Sequence, residues 1–147
     1  MTSSAAAVAV AAVFVWLGMV LAISFLEAPL KFRAPGITVP LGLGIGRLVF
    51  RALNVCELVL ATVIAVAVVI ERPGAPVVAA LLSSGVVLLV QLLIVRPRLN
   101  RRTEAVLAAA GGEIDAEAPR SRAHLAYVVL ELIKVICLLV SGILLSI

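Results

Sequence analysis

The chain has little of what a soluble enzyme draws on. Charged residues make up 14% of its 147 residues, and it has one histidine and two cysteines. A soluble domain carries about 25% charged residues. His124 cannot supply two axial ligands to a haem. It also lies thirteen residues before Cys137, about 20 Å along a helix, so the two share no metal ion. There is no Cys-x-x-Cys, which removes support for thiol–disulfide chemistry. Cys56 and Cys137 both fall in apolar stretches, where a thiol acts as a small apolar filler. No nucleophile–base pair, metal-ligand spacing or cofactor motif stands out, so no cofactor is expected.

What the chain has in abundance is hydrocarbon. It is 64% hydrophobic, with a mean hydropathy of +1.27. Four apolar runs, 5–26, 52–70, 75–95 and 123–147, each approach or exceed the roughly 20 residues a helix needs to cross a bilayer. Helices and closed barrels alone satisfy their backbone there, and unbroken runs exclude the alternating strands of a barrel. The expectation is an all-α, integral membrane four-helix bundle occupying residues 1–147 as one domain. The first run lacks a basic segment before it and is longer than the 7–15 residues of a signal-peptide core, so it is expected to stay as a membrane helix.

Charge predicts the orientation. Ten of the 12 basic residues lie in or beside the two connections that share one side: Lys31, Arg33, Arg47, Arg51, Arg96, Arg98, Arg101, Arg102, Arg120 and Arg122. Arg72 is on the other side and Lys134 is inside a span. The positive-inside rule puts loops 31–47 and 96–122 in the cytoplasm and both termini outside. A bias this strong argues against dual topology. The +4 net charge is thus a topology signal that calls for no nucleic acid. Anionic inner-leaflet lipids are the expected neighbours, with a second copy or a partner membrane subunit left open.

The helices are expected over about 5–28, 47–71, 75–110 (the last part a cytoplasmic extension) and 121–147. Pro29 marks the first stop, since proline ends or kinks a helix near the preceding residue. Pro35 and Pro40 suggest an irregular connection. The turn from Arg72 to Pro76 joins helices 2 and 3. Glu113, Asp115 and Glu117 read as a solvated acidic linker before a divalent-ion site.

Polar residues interrupt these spans. Arg51, Asn54 and Glu57 lie in or at the edge of the second, Gln91 in the third, and Glu131 and Lys134 in the fourth. Ionisable groups in hydrocarbon are costly and usually face a bundle interior or wet cavity. Arg47, Arg51, Asn54 and Glu57 are spaced by 4, 3 and 3 residues, and His124, Tyr127, Glu131 and Lys134 by 3, 4 and 3, each read as a single helix face. At 1.5 Å per residue, Glu57 and Lys134 lie about 15 Å deep, Arg51 about 6 Å, Glu131 about 10 Å and Gln91 about 7 Å. The depths predict pairs of Glu57 with Lys134 and of Arg51 with Glu131, Gln91 being nearby. Such pairs either fix helix packing or line a hydrated cavity whose carboxylates bind cations or protons.

A second constellation surrounds the first connection: Glu27, Lys31, Arg33, then Gly44, Gly46 and Arg47, with His124 entering from the last helix. The Gly42-Leu43-Gly44-Ile45-Gly46 run is no dinucleotide fingerprint, because its spacing is wrong and no strand precedes it. A glycine-rich approach to a helix N-terminus does suit an anion or lipid headgroup. Basic residues there oppose the helix dipole, so Glu27, a phosphate or another anion should compensate. The alternative is that Lys31, Arg33 and Arg47 snorkel and anchor topology. Phe32 and Phe50 are expected to pack at the interface.

The residues from Leu26 to Pro35, then Gly46-Arg47-Leu48-Val49-Phe50 and Leu53-Asn54-Val55-Cys56-Glu57, resemble a group of small four-span bacterial integral membrane proteins. A fainter likeness extends to the bacterial domain-of-unknown-function group related to eukaryotic transmembrane protein 205, in which a His opens the last helix and a polar residue follows two turns later, as His124 and Glu131 do. The pair Glu131 and Lys134 is more charged than that pattern. The resemblance implies a four-helix fold and singles out Lys31, Arg47, Asn54 and Glu57. Three functions stay open: a carrier or channel-like protein for an ion or small polar solute, an accessory or scaffold subunit, and a lipid- or quinone-acting membrane enzyme.

Overall fold

The computed structural model describes residues 3–109 and 122–147; the acidic linker, Arg120 and the helix ends expected at 110 and 121 lie outside the described residues. Four helices are long and apolar enough to cross a membrane: α1 (Ser4–Arg33), α2 (Val39–Glu71), α3 (Ala75–Ala108) and α4 (Arg122–Ser146). At most a third of each span's apolar window is buried within the chain. Large side chains such as Leu48, Val69, Leu93 and Ile136 stand outward on every face. A surface this apolar needs hydrocarbon around it. The protein is an all-α, multi-pass integral membrane four-helix bundle.

Helices α1 and α4 form the central pair, α2 packs on α1, and α3 packs on α4. Trp16, Val13 and Val20 of α1 meet Ile64, Leu88 and Leu138 of the other three helices in the apolar core. The hairpin between α2 and α3 is tight. Arg72 adopts the left-handed conformation (φ 49°) that ends α2, and Gly74 precedes the first turn of α3. The side chain of Ser3 donates to Glu71, tying the start of α1 to the end of α2. At the opposite, basic end, the extension of α3 runs beside α2, and Arg47 pairs with Glu104 at 2.8 Å.

The first helix runs past Pro29, its expected end, to Arg33, and the third, expected over about 75–110, runs through Pro97 to Ala108. In each case a π-helical stretch, Leu21–Glu27 or Gln91–Val95, comes just before the proline. The N–H of Ala28 bonds to the carbonyl of Ile23, and that of Arg96 to Gln91, both i→i−5. Proline lacks an N–H and crowds the carbonyl four residues back. A wider turn at that point relieves the crowding, so the helix continues. The second helix begins at Val39, not near Arg47. Thr38 caps it by accepting from the Leu41 N–H, and Pro40 sits in the first turn, where its missing donor and fixed φ suit a helix start.

The glycines of that connection are therefore inside α2. A Cβ at Gly42 would run into the Phe32 ring, and one at Gly46 would lie 2.7 Å from the Lys31 Nζ. They admit the end of α1 against the α2 backbone. Gly44 faces open space. We expect Gly42→Ala to lower stability by about 1–3 kcal/mol through overpacking, with Phe32→Ala recovering part of the loss. Gly44→Ala should be neutral or slightly stabilising, because alanine favours helix. Thermal unfolding of the detergent-solubilised variants checks all three.

Candidate functional site: a buried ion network

All four helices contribute to one polar network at mid-bundle. Lys134 of α4 is fully buried, and its ammonium reaches Glu57 Oε1 of α2 at 2.5 Å, Gln91 Oε1 of α3 at 2.8 Å and Glu131 Oε2 at 2.9 Å. An ammonium has three donors. All three are used.

The carboxylates are as well occupied. Glu131 accepts at Oε2 from Gln91 Nε2 (2.6 Å) and Lys134, and at Oε1 from Ser24 Oγ of α1 (2.5 Å) and Tyr127 OH (3.3 Å). Glu57 accepts at Oε1 from Trp16 Nε1 of α1 (2.9 Å) and from Lys134. The Asn54 amide fits with its nitrogen toward Glu57 Oε2 (3.2 Å) and its oxygen toward Arg96 Nε (3.0 Å). Among the described residues no buried side-chain nitrogen or oxygen lacks a hydrogen bond. In a low-dielectric interior an unsatisfied polar atom is costly, and this closure is what makes so many charges tolerable there.

Arg96 closes the network toward the basic end. Its guanidinium lies over the Phe50 ring at 4.8 Å and the Tyr127 ring at 5.7 Å, and those rings meet edge to face at 5.6 Å. Such cation–π contacts hold a guanidinium in place without neutralising it. Among the described residues no carboxylate comes within ion-pair distance of Arg96, and its terminal nitrogens carry no hydrogen bond. Beside it is a cavity of about 110 Å³ whose wall includes Ser24, Phe25, Arg96, His124, Tyr127 and Glu131.

Several sequence expectations meet this geometry. Glu57 and Lys134 pair, with Gln91, Glu131 and Asn54 joined to them. The expected pairing of Arg51 with Glu131 is absent: Arg51 is exposed, and Lys134 and Arg96 are the cations nearby. Six residues along an α-helix turn about 600°, which leaves Arg51 about 120° away from Glu57. Steps of three and four each keep to one face, but two threes in a row drift off it.

The glycine-rich helix entry on which the candidate anion or headgroup site depends is absent. Gly44 and Gly46 lie within α2, where their N–H groups belong to the helix. Lys31 is compensated by Glu27 at 3.4 Å and lies 5.6 Å from the Phe32 and Phe50 ring centres. Arg33 is exposed, and Arg47 turns to Glu104. His124 joins the cavity beside Arg96 instead.

Sequence reasoning missed Trp16, Ser24 and Arg96. The signal for Trp16 was present: a lone indole N–H inside an apolar helix needs an acceptor. Ser24 and Arg96 had none, because their directions depend on the π turns. In an α-helix Arg96 would stand about 140° round from Gln91. The i→i−5 turn brings it to the same side.

Among the described residues no group of three His, Cys, Asp or Glu side chains is placed to hold a metal ion. The molecule is thus a multi-pass membrane protein with a closed, charge-bearing core. No family model, curated protein or solved structure matches the chain.

Removing one member of a buried ion pair typically costs about 3–5 kcal/mol. We expect a loss of that size for Lys134→Met, with Glu131→Gln added to it restoring part, since the carboxylate no longer needs its counter-charge. Arg51→Ala should change stability by less than about 0.5 kcal/mol. Denaturation in mixed micelles measures each value.

Proposed function

We propose that the protein is a carrier or channel-like protein for an ion or small polar solute. In this reading it sits in a bacterial inner membrane, with loops 31–47 and 96–122 cytoplasmic and both termini outside. The observation that carries the reading is the cavity at the basic end, which leads from Arg96 and His124 directly onto Glu131. From there hydrogen bonds run unbroken through Gln91 and Lys134 to Glu57. A purely structural pair would need no such entrance. The π turns support the same reading, since wide turns recur at functional sites. The crowding of basic side chains at this end supports the orientation, and the resemblance to small four-span bacterial membrane proteins supports the location. The exposed Arg33, Arg98 and Arg101 suit contact with anionic inner-leaflet headgroups.

One observation favours a second reading, an accessory or scaffold subunit. The Lys134 ammonium is saturated and joins α2, α3 and α4, as a packing lock for a partner-binding bundle would.

Uptake into proteoliposomes separates the two. A carrier moves at least one of chloride, phosphate, potassium, methylammonium or a short carboxylate faster than protein-free vesicles do. Gln91→Leu and Glu131→Gln then cut that rate at least tenfold while the protein stays monodisperse. Rates equal to those of empty vesicles for every solute, with the same substitutions shifting only thermal stability, leave the scaffold reading.

A further inference from the structure

Where the network meets the cavity it has spare donors and no spare acceptor, since Glu131 is the carboxylate that lines it. Each Glu131 oxygen already receives two hydrogen bonds, and Glu57 Oε1 two more. A metal or alkali cation entering the cavity would find its carboxylate filled. Arg96 is the opposite case. It is half-buried, fixed by two aromatic rings and the Asn54 oxygen, and has no carboxylate partner among the described residues. Its terminal N–H groups form a planar fork, the arrangement that binds a carboxylate through two parallel hydrogen bonds.

The rest of the wall selects the tail attached to that carboxylate. Phe25, Ala28, Leu99 and Val128 line the cavity with hydrocarbon. The hydroxyls of Ser24 and Tyr127 are already donating to Glu131. The remaining polar wall is the His124 imidazole and the Glu131 carboxylate. A phosphate dianion would therefore bring a second negative charge close to Glu131 and leave oxygens over the hydrocarbon of Phe25, Ala28, Leu99 and Val128, which is costly. At about 110 Å³ the space takes roughly four water-sized groups. We infer that the cavity is a binding site for a short monocarboxylate, its carboxylate on the Arg96 fork and its two or three carbons against Phe25, Ala28, Leu99 and Val128. This rests on the carrier reading for its purpose but not for its chemistry.

Titration calorimetry of the full chain in nanodiscs, with propionate, phosphate and propylammonium as probes, tests the site without requiring transport. Propionate should bind saturably, and neither phosphate nor propylammonium should compete. Arg96→Gln should weaken propionate at least tenfold. Arg96→Lys should also weaken it, because a point charge replaces the fork. Arg98→Gln, an exposed neighbour, should leave binding unchanged. Ala28→Leu should shorten the acceptable tail, losing propionate while keeping formate, a readout that general destabilisation would not produce.

The site is overturned by no propionate binding to the native chain, by unchanged affinity in Arg96→Gln, or by phosphate competing as well as propionate. Binding without uptake into proteoliposomes sinks the carrier reading and leaves the site standing. Uptake of another solute, with no propionate binding to the native chain, does the reverse.

Discussion

One buried ammonium holds the polar interior together. Without Lys134, two carboxylates would share a low-dielectric core, where like charges repel strongly and desolvation is unrelieved. With it, α2, α3 and α4 meet at a single atom, and α1 joins through the Trp16 and Ser24 side chains. Helices in lipid gain little from apolar contact with each other, because the surrounding chains are equally apolar. Hydrogen bonds that only one arrangement satisfies therefore carry much of the specificity. Here they require all four helices at one depth.

The two π turns show how the backbone serves that requirement. Each accommodates a proline, and each also redirects a polar side chain, Ser24 onto Glu131 and Arg96 onto the cavity beside it. Proline tolerance and side-chain aim thus have one cause. Interrupted helices at membrane depth are acceptable when the freed backbone groups find new partners, and the i→i−5 bonds at Ala28 and Arg96 are those partners.

These turns also divide what the amino-acid sequence makes legible from what it hides. The spans are plain from hydropathy, because run length against bilayer thickness is a strong constraint. The Glu57–Lys134 pair is legible from depth alone, and Tyr127, Glu131 and Lys134 share a face because seven residues fall about 20° short of two turns. Arg51 is misplaced when small angular steps are taken one by one without summing them. Arg96 looks like one more loop cation because its direction depends on a non-α turn. Pro40 and the glycines look like a loop because their composition is that of loops. Thr38, followed two residues later by Pro40, is the local sign of a helix start.

The sole tryptophan of the chain donates its indole N–H to Glu57, inside the network rather than at a membrane boundary. Its fluorescence therefore comes from one place, next to one charge. Any event that rearranges the interior, whether an arriving solute, a displaced ammonium or a separated helix, changes the field on that ring and with it the colour of the emitted light. The protein carries its own optical gauge of the state of its core.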